Sequence, residues 1–259
     1  MHAVVIDRVR GDVATLAKAA AAVLGVTAYD VRASMQVPGG GPSVLTVLGD
    51  LGRAQATREA LERAGFDARV VSVQSESTRV DVRTFEFGAQ AFTAQNRSGT
   101  QAHLPYADIR LLVRATAVTT ETKTKTVRER KFAPMRTVLS GGLVNTKVQT
   151  TQRTTRTTDS TELLYAFGNT DTPLRMAEDT LLFQGLGPAL QPSRNANFAR
   201  LVQELRRRCP RAAFDERLRR RSVCSQILGR TLSPDDFMDL AVSLVASSVT
   251  STAAPFRGV

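Results

Sequence analysis

The feature that most constrains this chain is the segment Thr116–Thr158, which holds 14 threonines, 9 lysines or arginines and only 2 acids. Threonine is β-branched and favours extended backbone, so a run this dense resists helix. In Thr122-Lys123-Thr124-Lys125-Thr126 the residues alternate with a period of two, which on a strand sends both lysines to one face. The segment predicts two long strands joined around Ala133–Leu143, a hairpin arm with Gly141-Gly142 near its bend. The alternative is a disordered loop inserted in a sheet, since most of the segment lacks apolar anchors. Phe132, Met135, Val138, Leu139, Leu143 and Val144 cluster near the bend and argue for a tip buried against something.

Charge points to the same place. The chain of 259 residues carries a formal net charge of +11. Residues 1–80 hold 9 Lys/Arg against 8 Asp/Glu, residues 81–158 hold 13 against 5, and residues 159–259 hold 13 against 11. The middle third is the electrostatic pole, and such a pole attracts anionic partners by long-range steering without specifying a fold. The candidate partner-binding residues of the arm are Lys123, Lys125, Arg128, Arg130, Lys131, Phe132, Met135, Arg136, Lys147, Arg153 and Arg156. A second basic run, Arg206–Arg221, has 8 arginines against Asp215 and Glu216. Arg206–Arg208 end a helix, where cations complement the macrodipole, whereas Arg219, Arg220 and Arg221 join the candidate surface. A basic stripe flanking an apolar tip suits an anionic, partly apolar partner such as lipid head groups or an acidic protein groove. Nucleic acid is the other class of partner, although Phe132 is the arm's single aromatic and base stacking is poorly provided.

Catalytic and metal chemistry find little support. The two histidines, His2 and His103, accompany no G-x-S-x-G elbow. His103 with Tyr106 and Asp108 reads as part of a sheet edge, because neighbouring positions on a strand alternate in facing. Gly39-Gly40-Gly41 is followed by Pro42 and Ser43 and lacks the Lys-Ser/Thr of a phosphate loop, so Pro38–Ser43 reads as a connection. Asp235, Asp236 and Asp239 suit the N-terminus of a helix and predict no metal. Cys209 and Cys224 have no zinc-like spacing and read as reduced thiols. With neither a leader-like start nor 18 consecutive apolar residues, the expectation is a cytoplasmic protein without membrane span, cofactor or metal.

Along the chain, Ala3–Arg8, Ser43–Leu48 and Phe66–Val73 read as strands. Between them lie helices over 13–24, 27–37 and 52–64, the first two capped by Asp12 and Thr27 and the first stopped by Gly25. This β-α-α-β-α-β order predicts a small α/β sandwich over 1–74. Ser72–Thr78 is polar and marks a boundary. From Val80 the segments 83–95 and 100–118 read as antiparallel strands around a turn at Asn96–Gly99, and Ser160–Gly168 as another strand. Met176–Gly187 and the stretch from Asn195 or Asn197 to Cys209 read as helices, and Pro210–Ser222 as a further basic helix. Ser233-Pro234-Asp235-Asp236 predicts the start of a last helix, in an extension over 222–249 before a flexible tail at 250–259.

Two resemblances follow from these residues. Leu16–Val37 (LAKAAAAVLGVTAYDVRASMQV) and Arg58–Val71 (REALERAGFDARVV) resemble the helix-turn-helix and the closing helix and strand of the ribosomal stalk protein C-terminal domain. That resemblance implies a helical hairpin that recruits other proteins, here bearing Lys18 and Arg32. Leu104, Pro105, Tyr106, Asp108 and Ile109, between a turn and a strand, resemble the third-strand entry of bacterial pleckstrin-homology-like domains, which implies such a domain over about 80–221. The expected class is α+β: the small sandwich, an antiparallel pleckstrin-like β domain carrying the arm, and C-terminal helices. The expected function is a non-enzymatic adaptor or scaffold that binds a protein partner, an anionic surface or its own copy through the arm. The alternative is a nucleic-acid-binding regulator that uses the same arm and Arg219–Arg221.

Overall fold

The computed structural model describes residues 1–8, 11–38, 41–73, 79–132, 146–170 and 172–253, with side chains for all but 8, 119–158 and 250–253. The first 73 residues form β1 (His2–Arg8), α1 (Val13–Leu24), α2 (Ala28–Met35), β2 (Ser43–Leu48), α3 (Leu51–Arg63) and β3 (Asp67–Ser72). Local chemistry accounts for the ends. Asp12 accepts the Thr15 N–H at 2.8 Å, Thr27 accepts that of Asp30 at 3.2 Å and Asp50 accepts that of Arg53 at 2.7 Å, so each helix begins on a side-chain cap. Gly25, at φ 68°, closes α1 in the left-handed conformation. The sheet order is β2-β1-β3, with β1 antiparallel to both neighbours. β2 and β3 therefore run the same way on either side of β1, and α3 carries the chain across it. Val4 and Ile6 face the helices and pack with Ala17, Ala20, Val31, Ala54 and Leu61. Ala3 and Val5 face the opposite way and are also buried, so the small sheet has apolar contacts on both sides.

A second sheet of seven strands has the order β10-β7-β8-β9-β4-β5-β6. Its strands are β4 (Val80–Phe87), β5 (Ala91–Asn96), β6 (Gln101–Pro105), β7 (Leu111–Phe132), β8 (Thr146–Phe167), β9 (Leu174–Ala177) and β10 (Ala213–Asp215). The long threonine-rich strands are thus formed, 22 residues each, while the expected bend at Ala133–Leu143 lies outside the described residues. The antiparallel expectation holds for β4–β5, β5–β6 and β8–β9 but not for two pairs: β4 lies parallel to β9 and β7 parallel to β10. Both parallel neighbours come late in the chain: Met176-Ala177 of β9 and all of β10 lie in segments expected as helix.

Those segments are the main corrections. Met176–Gly187 is not helical: Met176 and Ala177 close β9, and a 3-10 turn occupies Phe183–Ala189. Pro188 denies a backbone donor, Gly187 takes φ 52°, and Leu174 and Met176 alternate into the core as a strand requires. Pro210–Ser222 is likewise not one helix. It contains β10, a 3-10 turn at Arg217–Arg219 and the start of α5 (Arg221–Leu228). Ser193, not Asn195 or Asn197, caps α4 (Arg194–Arg208), and Asn197 instead holds both the N–H and the carbonyl of Gln191. The last helix, α5's successor α6 (Met238–Ala253), begins after a turn at Pro234–Asp236 and runs past the expected start of the tail at Thr250.

α4 covers one face of the large sheet, where Phe198, Leu201, Val202 and Leu205 pack with Val82, Phe85, Phe92, Leu112, Leu164 and Met176. α5 and α6 cover part of the other face. Their Val223, Ile227, Leu244 and Val245 share a core with Leu111, Val113, Leu163 and Tyr165, and with Ala3, Val5 and Val44 of the small sheet. The polar stretch at 72–78 therefore does not separate two cores. Residues 1–117 and 161–259 form one compact unit, and Val118–Ser160 forms a second.

Candidate binding surface

The two strands of the arm begin in the compact unit, and the pairing there shows their direction. The Arg110 N–H donates to the Phe167 carbonyl at 2.9 Å, and four residues further along β7 the Arg114 guanidinium meets Glu162, so the strands are antiparallel. Glu162 is the hub at this root. It accepts Arg114 Nε at 2.7 Å and the Thr116 hydroxyl at 2.8 Å, and Arg219 Nε lies 3.5 Å away. One carboxylate thus neutralises two arginines and ties β7, β8 and the 3-10 turn before α5 together.

Beside this root lies a cavity of about 610 Å³ lined by Pro38, Glu216, Arg217, Arg219, Arg220 and Val223. Arg217 is held by Asp215, with Nε 2.8 Å from Oδ2. Arg219 also lies 3.7 Å from Glu216. Arg221 makes a two-pronged pair with Asp235 across the start of α5, and that hydrogen bond raises the guanidinium pKa further above its ordinary value. Arg220 is exposed and makes no side-chain ion pair with a described residue. Of the three expected arginines, then, two are held by carboxylates and one is open.

The remaining expected residues fall on the arm. Lys123, Lys125, Arg128, Arg130, Lys131, Phe132, Lys147, Arg153 and Arg156 lie on β7 and β8, and their side chains lie outside the described residues, as do Met135 and Arg136 altogether. Sequence reasoning passed over Glu162, Arg114 and Arg217. Arg114 and Glu162 are 48 residues apart, and nothing local marks a single acid in STELLYAFG as the partner of three groups from other elements.

Elsewhere, residues that suggested chemistry are engaged in structure. The Tyr106 hydroxyl donates to the Gly88 carbonyl at 3.1 Å, and Arg208 donates to the same carbonyl while stacking over Phe87 and Tyr106. His103, on the edge strand β6, has its Nδ1 3.3 Å from the hydroxyl of Thr93 on β5. Cys209 and Cys224 are buried, and burial pushes their thiols up to about 11 and about 12, away from nucleophilic thiolate. Among the described residues no three of His, Cys, Asp and Glu gather as metal ligands, and no single helix is long and apolar enough to cross a membrane.

No protein-family model, curated protein sequence or solved structure matches this chain. Its functional reading therefore rests on its own residues.

Proposed function

We propose that this protein is a non-enzymatic cytoplasmic adaptor that engages an anionic partner surface, on a protein, a lipid layer or a second copy, through the arm at 116–158. The observation that carries this reading is the pair of 22-residue strands whose segment Val118–Ser160 forms a unit of its own. Fifteen residues of β7 belong to that unit, about 50 Å of extended chain. An antiparallel ribbon of that length, in a segment whose sequence carries a net +6, is far longer than a sheet needs for packing. Alternate residues of a strand share one face, and Lys123 and Lys125 fall two apart on β7. The resemblance to pleckstrin-like and stalk-protein domains fits a protein-recruiting scaffold.

The engagement of Arg219 and Arg221 by Glu162 and Asp235 favours this reading over a nucleic-acid regulator, which would draw on both guanidinium groups for phosphate contacts. The test compares the intact chain with a form lacking residues 120–155, in co-sedimentation with phosphatidylserine vesicles, pull-down with acidic proteins and light scattering for self-association. Loss of binding or assembly in the shortened form is expected. Equal behaviour of the two forms sinks the proposal, and a steeply salt-dependent shift of duplex DNA with no other partner transfers the arm to the nucleic-acid reading.

A further inference from the structure

Within the compact unit of residues 1–117 and 161–259, three arginines meet where the covering of the large sheet stops. On the face packed by α5 and α6, the buried core takes residues from β7, β8 and β9 but none from β4, β5 or β6. At that margin lies a cavity of about 350 Å³, lined by Asp81, Arg83, Arg97, Arg175 and Thr180 among others. That volume is at the small end of the range for ligand pockets.

The sheet itself brings these residues together. β4 and β9 are parallel with Asp81 opposite Arg175, and both side chains lie on the face opposite their buried neighbours Val82 and Met176. Arg83 shares the Asp81 side of β4, two residues on, and sits where the register with β5 slips between Val82 and Thr84. Such a bulge re-aims the side chain it carries. Arg97 follows directly on β5, in a turn pinned by Asn96 Oδ1, which accepts the Thr100 N–H at 2.9 Å and the Ser98 hydroxyl at 2.8 Å.

The arginines outnumber their partners. Arg175 Nη1 donates to Asp81 at 2.8 Å, while its buried Nε has no partner. Arg83 donates to the uncharged carbonyl of Thr180. Arg97 is exposed and makes no hydrogen bond or ion pair with any described residue. Asp81 is further shared with Arg79, which also holds Asp239. Three guanidinium groups and one carboxylate leave the lining with a charge of +2. Guanidinium forks match oxyanions in pairs of hydrogen bonds, and a group with three free oxygens meets three forks better than a two-oxygen carboxylate does.

We propose that this pocket binds a phosphomonoester dianion, seated between Arg83, Arg97 and Arg175. Its −2 charge balances the lining, and Asp81 orients Arg175 while limiting affinity. The site is independent of the arm.

The experiment is calorimetric titration of the full chain with inorganic phosphate at low salt, with phosphatidic acid vesicles as a second arm. Arg97→Ala removes a side chain with no described partner and is expected to fold normally and to weaken phosphate binding about tenfold, the loss of one charge-assisted contact. Arg83→Ala/Arg97→Ala abolishes it, whereas Arg53→Ala/Arg200→Ala, with the same change in net charge at two exposed positions outside the pocket, leaves it within about twofold. Asp81→Asn tightens binding, a sign that a purely structural carboxylate would not produce. A preference of the wild type for phosphatidic acid over phosphatidylserine vesicles that is lost in the double variant identifies a lipid head group as the source; binding of free phosphate without that preference identifies a soluble ligand. No binding of phosphate by the wild type, or equal loss in the pocket and control double variants, overturns the proposal.

Discussion

The Tyr165 hydroxyl donates a 2.6 Å hydrogen bond to Oδ1 of Asp239, joining the middle of the large sheet to the first turn of α6. Tyr165 is fully buried, and burial, with the Asp239 carboxylate next, pushes its phenol far above the ordinary value, so it stays a donor at every physiological pH. The same Asp239 receives Arg79, which in turn meets Asp81. Tyrosine, two carboxylates and a guanidinium thus fasten α6 to the edge of the arginine pocket.

Tyr165→Phe removes one hydrogen bond to a charged acceptor while keeping the ring in the core. A loss of about 1.5–3 kcal/mol in urea-unfolding free energy is expected, without change in secondary structure by circular dichroism. An unchanged midpoint would show that Asp239 is satisfied by Arg79 alone.

Gly229 ends α5 at φ 69° with its Cα against the Val44 carbonyl of β2, and a methyl there would overlap that oxygen. Gly229→Ala combines a strained backbone with a steric clash, for a cost of about 3 kcal/mol or more. Because the contact joins the small sheet to a C-terminal helix, thermal unfolding should remain a single transition at lower temperature. Separate melting of residues 1–73 would falsify the shared core.

Glu204, near the end of α4, accepts Arg207 Nη2 at 2.7 Å and Arg208 Nε at 2.8 Å, and these two cations hold its carboxyl down at about 2, against an ordinary 4.5. A carboxyl whose pKa is depressed by folding contributes stability that is complete above about 4.5 and fades as pH falls towards 2. Urea midpoints measured from pH 6 to pH 3 should therefore fall more steeply in the wild type than in Glu204→Gln. Parallel curves would count against the pairing.

What was legible in the sequence was what neighbours along the chain decide. Asp12, Thr27 and Gly25 mark helix ends because capping is a contact across three or four residues, and the six elements of residues 1–73 came out in order for that reason. β7 and β8 were legible because alternating threonines leave extended backbone as the only comfortable conformation. Met176-Ala177, the end of a four-residue strand, and Ala213-Phe214-Asp215 were misread because strands of four and three residues carry too little periodicity to outweigh the helix-forming residues around them.

The tertiary structure alone decided which distant charges meet. Arg83, Arg97 and Arg175 belong to three segments and converge because β9 pairs parallel with β4 and β4 pairs with β5. Glu162 likewise gathers Arg114, Thr116 and Arg219 from elements that the strand order brings side by side. Local propensity sets the conformation of a segment, but strand pairing is chosen by the burial of Val82, Leu164 and Met176 in one core. The residue sequence alone determined the arm and its charge; the packing of the sheet determined which of the remaining arginines are neutralised and which are left facing a cavity.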